Sequence, residues 1–379
     1  MDIDPSATAA SGVGRGLALK FRRYWNSYLW KVDLHIIPIF CVIYAFAVMD
    51  RNNIGNAKVA GMDKILGLHG EQFNWVSSSL FFTYIFCDIP ANLMLKRTRP
   101  TLWFPFLTIS WATICMSMAA AKNYASLIIL RLFLGAFEAG LVPGFIYYIS
   151  FWYTKRQQGP RLSIFFSAGT FAGIFAGPLA AGLTNIRGSL HEYQYIFLIE
   201  GAITALLGIV LYFVISDYPE KAKFLTREER EAAVEVLSTE QALASKRRIN
   251  YSRIPYFLLD WKLWFYAIIF WIAATAGSTQ AIFGPTLILS MGYTSTKAQI
   301  MSSLPSTCGF ASQILSMFIP RLFRHLSLLI MAYATLACAC YIVLATATAN
   351  HVRLAFLCIG NFAISPIMPW VSLWMLNNT

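Results

Sequence analysis

Three charged residues stand out because they lie in stretches otherwise built from apolar side chains: Arg51 in AVMDRNNIG, and Arg131 and Glu138 in RLFLGAFEAG. An ionised group in hydrocarbon costs several kcal/mol unless it meets a partner or a water-filled cavity, so each is a candidate functional group. Arg131 and Glu138 are seven residues apart. On a helix that spacing puts them on one face, separated by about 10 Å of rise, too far for a tight pair with each other. A guanidinium stays charged and its fork matches a carboxylate, so Arg51 and Arg131 at similar depth suit a positive rim around an organic anion. A glutamate held away from water is poised to change protonation state, which makes Glu138 the proton-coupling candidate. Each residue also has a purely structural reading. Arg131 would then pair with Glu200 or with helix carbonyls, Glu138 would close a buried polar network, and Arg51 beside Asp50 would form an ion pair at a helix end near the interface. Glu200, in IFLIEG, reads as structural.

Such residues need helices to hold them. With 57% hydrophobic and 13% charged residues over 379 positions and a mean hydropathy of +0.56, the composition is that of a membrane protein. A helix needs about 20 mainly apolar residues to cross the bilayer. Ten such stretches occur, at 34–53, 73–95, 101–121, 126–150, 162–183, 194–216, 262–290, 298–319, 326–349 and 352–376. The expected fold is all-α, with a tail and interfacial basic segment at 1–33, six spans at 34–216, a central loop at 217–261 and four spans at 262–379. Within the loop, TREE at Thr226 to Glu229 has the form of a capping box and predicts a short surface helix. Gly284 and Pro285 predict a break in the seventh span that aims Gln280 at a cavity, and Pro366 and Pro369 do the same for Trp370 in the tenth. Gln280 and Trp370 join the two arginines as candidate substrate contacts.

The net charge of +12 raises the possibility of a nucleic-acid partner, and its distribution argues against one. With the N-terminus inside, the inner segments hold 22 Lys and Arg and the outer loops seven, the asymmetry expected of a membrane protein with both termini in the cytoplasm. The seven cysteines fall in apolar stretches without metal-ligand spacing and read as small packing residues. Residues 1–16 lack the apolar core of a signal peptide. No phosphate-binding loop, HExxH or nucleophile elbow is present, so the chemistry is that of a carrier rather than an enzyme, with no cofactor or metal expected. A pore is the remaining alternative, since polar residues in spans suit one too.

VDLHIIPIFCVIYAFAVMDRNNIGNAKVAGM (32–62), DIPANLMLKRTRPTLW (88–103), RLFLGAFEAGLVPGFIYYISFWYTKRQQGPR (131–161), IFLIEG (196–201) and DYPEKAKFLTREER (217–230) occur in this order. Together they resemble the anion:cation symporter family of the major facilitator superfamily, with the closest likeness to fungal allantoate and nicotinate permease-like members. The resemblance implies two six-helix halves closing around a midplane site. It also implies a monomer in the plasma membrane that takes up a small organic anion, a carboxylated vitamin or nitrogen compound, together with protons. Arg51 and Arg131 match arginines implicated in anion handling in the related vesicular glutamate transporters, and Glu138 a glutamate implicated in proton linkage. Asp88, with Lys96 and Arg97, matches a cytoplasmic gate motif and implies a gating salt bridge. The pattern is incomplete: Ser77 stands where those relatives carry a histidine, and no basic residue falls between Leu263 and Lys297. The run GIFAGPLAAG (173–182) resembles the antiporter motif of drug exporters, which makes a drug/proton antiporter the alternative. Relatives continue past LWMLNNT (373–379) into two further spans and carry an acidic residue where Pro320 stands, so an inactive, truncated carrier is the third expectation.

Overall fold

A computed structural model describes residues 15–245, 259–316, 319 and 326–378, and within them all regular structure is helical. The readings that fall on residues 1–14, on the end of the central loop and on Pro320 lie outside the described residues.

Helix α1, Arg15–Val59, is 45 residues long and overruns the expected first span at both ends. Its polar run Asp50 to Asn53 does not end it, because Asp50 and Asn53 are buried against neighbouring helices and Arg51 is paired with Glu138. The helix stops where Gly61, at φ 86°, supplies the left-handed conformation that ordinary residues avoid. Arg51 therefore lies inside a helix and not at its end. After the short α2, Met62–Ile65, come α3, Gln72–Arg97, and α4, Pro100–Met118. Pro100 opens α4 at the position where a missing N–H costs nothing. The fourth expected stretch forms α5, Tyr124–Glu138, capped by the Asn123 side chain, and α6, Leu141–Ile149. Helices α7, Lys155–Thr184, and α8, Glu192–Val214, complete the first group.

Helix α9, Arg227–Ser245, lies in the central loop and starts at the expected capping box. The Thr226 N–H donates to Glu229 Oε2 at 2.9 Å. It is not free on the surface, however. Ala232, Ala233 and Leu237 are buried, and Glu229 accepts hydrogen bonds from Ser27 at 2.7 Å and Lys31 at 2.9 Å of α1.

The second group comprises α10, Trp261–Ser290, α11, Ser295–Met301, α12, Ser303–Leu315, α13, Leu326–Thr346, α14, Asn350–Ile364, and α15, Ile367–Asn378. Pro285 does not break α10, which continues to Ser290, so the expected interruption in the seventh span is absent. The tenth span does turn at Ser365 and Pro366. Among the described residues, nine helical segments are long and apolar enough to cross a membrane. The eighth expected stretch is helical too, but divided at Ser302 into α11 and α12.

Helix α1 is the hub, packing on α7 and α8 within its own group and on α10 across to the second. Phe40 of α1 fills the centre of the first group, with ring centroids 5.0 Å from Phe104 and 4.7 Å from Phe145. The two groups meet along the second half of α7, where Thr170 donates to Gln313 of α12 and Phe171 packs on Phe310 at 5.3 Å, and through the C-terminal ends of α1 and α7. There Gly55 rests against the Ile282 carbonyl and Gly177 against that of Gln299, approaches too close for any Cβ. Gln299, fully buried, donates to the Asn56 carbonyl at 3.3 Å and accepts from Thr184 at 3.4 Å. Ser295 donates to the Val59 carbonyl at 3.0 Å. Every side chain in these contacts is neutral.

Candidate functional site

The centre of the first group holds a set of charges brought together by α1, α4, α5 and α8. Helix α5 places Arg131 and Glu138 on its inward face, each only 1% exposed. Helix α1 crosses beside it and brings Arg51 onto Glu138. Both Nε, at 3.1 Å, and Nη2 of the guanidinium donate to Glu138 Oε1. Arg51 is the less buried partner, with 21% of its side chain exposed, and its guanidinium carbon lies 4.9 Å from the Tyr84 ring centroid of α3. Arg131 donates through Nη1 to the Arg51 carbonyl at 3.1 Å, which is the helix-carbonyl alternative and not a pair with Glu200. Its Nε and Nη2, and Glu138 Oε2, have no protein partner.

The two arginines thus differ in role. Arg51 is locked to a carboxylate and reachable, whereas Arg131 is enclosed and braces the Arg51 backbone, so they do not form a matched rim. The interfacial Asp50–Arg51 pair is not found either. Asp50 is fully buried and points the other way, accepting from Thr204 Oγ1 of α8 at 3.1 Å and from the Cys115 thiol of α4 at 3.5 Å. Glu200, also fully buried, accepts from the Asn53 amide at 2.7 Å.

The remaining candidates lie elsewhere. Gln280 is buried in the second group, donating to the Leu357 carbonyl at 3.1 Å and accepting from Tyr341 at 2.7 Å. It borders a largely apolar cleft of about 320 Å³ with Phe283 and Leu344. Trp370 is 1% exposed, its N–H donates to the Ser316 carbonyl at 3.1 Å, and its ring packs edge-on to Tyr333 at 4.8 Å. That is a core position, and it leaves the indole no open face. Among the described residues no ion pair joins Asp88 to Lys96 or Arg97. Asp88 Oδ1 is without a partner and Lys96 sits 5.5 Å from the Tyr147 ring, so the implied gating salt bridge is not formed in this conformation.

Sequence reasoning missed Asp50 as a buried group, Asn53, Thr204, Cys115 and Tyr84. The signal was spacing. Asp50 and Asn53 are three apart on α1 and Glu200 and Thr204 four apart on α8, polar pairs a turn apart inside apolar helices. A further contrast is compositional: from Trp261 onward the chain has no acidic residue, so every carboxylate side chain in the charge cluster belongs to the first group.

Membrane-length helices in two groups, with a buried charge cluster inside the first, define an integral membrane helix bundle. The profile of the Major Facilitator Superfamily matches residues 40–379, and the chain belongs to that family. It is similar to an MFS transporter of Fungal sp. (strain NRRL 50135), 33% identical over 76% of this chain and 60% of that one. It is similar as well to the high-affinity nicotinic acid transporter of Saccharomyces cerevisiae, 33% identical over 72% of this chain and 51% of that one. The chain spans 57–60% of the length of three such fungal relatives. In fold it resembles a D-xylose-proton symporter, with a TM-score of 0.65 at 13% identity over 92% of this chain and 82% of the other. It also resembles an inward-facing bacterial homologue of the human lysosomal transporter Spinster, with a TM-score of 0.66 at 16% identity over 92% and 73%.

Proposed function

We propose that the protein is a proton-coupled carrier of a small organic anion, a carboxylated vitamin or nitrogen compound, working as a monomer in the plasma membrane with both termini in the cytoplasm. The observation that carries this reading is the Arg51–Glu138 pair, a partly exposed guanidinium held by an internal carboxylate, the same group that a carboxylate substrate would offer it. Ionised Glu138 occupies the donors of Arg51. A proton on Glu138 removes its charge and frees the guanidinium for the incoming anion, so proton and anion binding favour each other. Loss of the proton restores the internal pair and expels the anion. Arg131 holds the Arg51 backbone in register for this exchange, and Tyr84 positions the guanidinium from the other side. The neutral closure at the far ends of α1 and α7 is one gate of an alternating-access cycle. The nicotinic acid transporter at 33% identity, and a putative tartrate transporter of Agrobacterium vitis at 31%, fit a carboxylate cargo.

The test is Glu138→Gln in a full-length version reconstituted in vesicles. Accumulation against a gradient should be abolished and anion binding should lose its pH dependence, while substrate counterflow survives. A variant that still concentrates the anion with an unchanged pH profile defeats the assignment. Export of cationic drugs, with carboxylates ignored, would establish the antiporter instead.

A further inference from the structure

Helices α1 and α8 are joined by two polar rungs that the Arg51–Glu138 exchange does not use. Thr204 Oγ1 lies 3.1 Å from Asp50 Oδ2, and Asn53 Nδ2 donates to Glu200 Oε2 at 2.7 Å. One helical turn separates the rungs on each helix, so the two carboxyl groups are neighbours in the interior, within electrostatic reach of each other. The charged and titratable groups within reach of them are Cys115 from α4 and Arg131 and Glu138 from α5. Arg51 is held by Glu138, and Arg131 lies within electrostatic reach of Asp50, leaving Glu200 with no cation of its own. Two ionised carboxylates at this spacing away from water repel strongly.

The orphaned atoms show how the cluster resolves this. Glu200 Oε1 and Asn53 Oδ1 are both buried acceptors without a partner, on residues that are fully buried. An ionised Glu200 offers Asn53 one acceptor to donate to and nothing to accept from. A single proton on Oε1 supplies the missing donor, so that acid and amide satisfy each other. Exchanging the ends of the amide does not remove the need, since Oδ1 would then face Oε2.

We propose that Asp50 and Glu200 form a second proton site of the carrier, distinct from Glu138, in which Glu200 holds the proton against Asn53 while Asp50 stays ionised beside Arg131. The proposal rests on the preceding reading only in taking the chain as a proton-handling carrier.

Infrared difference spectroscopy of the whole chain in lipid discs, titrated with acid and exchanged into deuterium oxide, tests it. A protonated-carboxyl band should be present that Glu200→Gln removes and Glu138→Gln leaves. Glu200→Gln should melt as the unmutated protein does, because its amide reproduces the donor of the acid. Asp50→Asn removes the neighbouring charge, so the same band should be lost at lower pH, with proton affinity about tenfold weaker. A band unaffected by Glu200→Gln overturns the proposal. So does a Glu200→Gln protein that fails to fold, since that outcome means an anionic Glu200 is required. Failure of the transport reading would appear only in the Glu138→Gln flux assay and leave this band in place.

Discussion

Arg51 and Arg131 look equivalent in the sequence and differ in the structure, and the difference decides what substitution does. Removing Arg51 leaves Glu138 buried without its cation, which costs about 3–5 kcal/mol. Arg51→Ala should therefore melt far below the unmutated protein, and Arg51→Ala with Glu138→Ala should regain most of the loss, as thermal unfolding in detergent would show. Arg131→Lys keeps the charge but not the geometry of the bond to the Arg51 carbonyl. It is expected to lower thermal stability, whereas Arg51→Lys should weaken anion binding with little effect on melting. The polar residues of the site were legible as intramembrane charges, which is why Arg51, Arg131 and Glu138 stood out. Their pairing was not. Which carboxylate meets which guanidinium depends on how α1 crosses α5, and nothing in the spacing along either helix encodes that crossing. Asp50 was misread for the same reason: the sequence neighbour Arg51 pointed to a local pair, while the helix turns the two side chains toward different partners.

At the scale of elements, helices were legible from apolar run length and their limits were not. The first span overran because Asp50, Arg51 and Asn53 found partners inside the bundle, and α10 ran through Pro285 because one lost hydrogen bond did not end a helix packed on its neighbours. Helix α9 gives a pH-dependent test. Burial pushes the Glu229 carboxyl up, but bonds from Lys31, Ser27 and the Thr226 N–H outweigh it and hold the group below the ordinary carboxylate range. A carboxyl lowered on folding contributes stability above its unfolded value of about 4.3 and loses it as pH falls through the folded value. Hydrogen exchange across 227–245 should therefore quicken at acid pH, and Glu229→Gln should give the fast rate at every pH. The closure between the groups offers another test. Gly177→Val puts a branched side chain where the Gln299 carbonyl already lies, so a cysteine at position 299 should become reactive toward an impermeant thiol reagent applied on that face.

Across the whole molecule, large apolar side chains cover the outside. Trp264, Ile268 and Trp271 of α10 are 54%, 50% and 67% exposed, while Trp111 in the first group is fully buried. In vesicles containing brominated lipid, a version keeping only Trp271 should be quenched strongly and one keeping only Trp111 weakly. Equal quenching would contradict the packing. The fold class was legible from composition at this scale, since no soluble core needs so many apolar helices. The asymmetry between the groups was harder to see, because it lies in what the second one lacks. With no acid beyond Asp260, it offers mainly shape, aromatic faces and neutral hydrogen bonds. Selection can reshape such a wall without disturbing the buried charges of the first group. On the proposed reading, a lineage of such proteins would diversify its diet by redecorating one half while inheriting its power supply intact in the other.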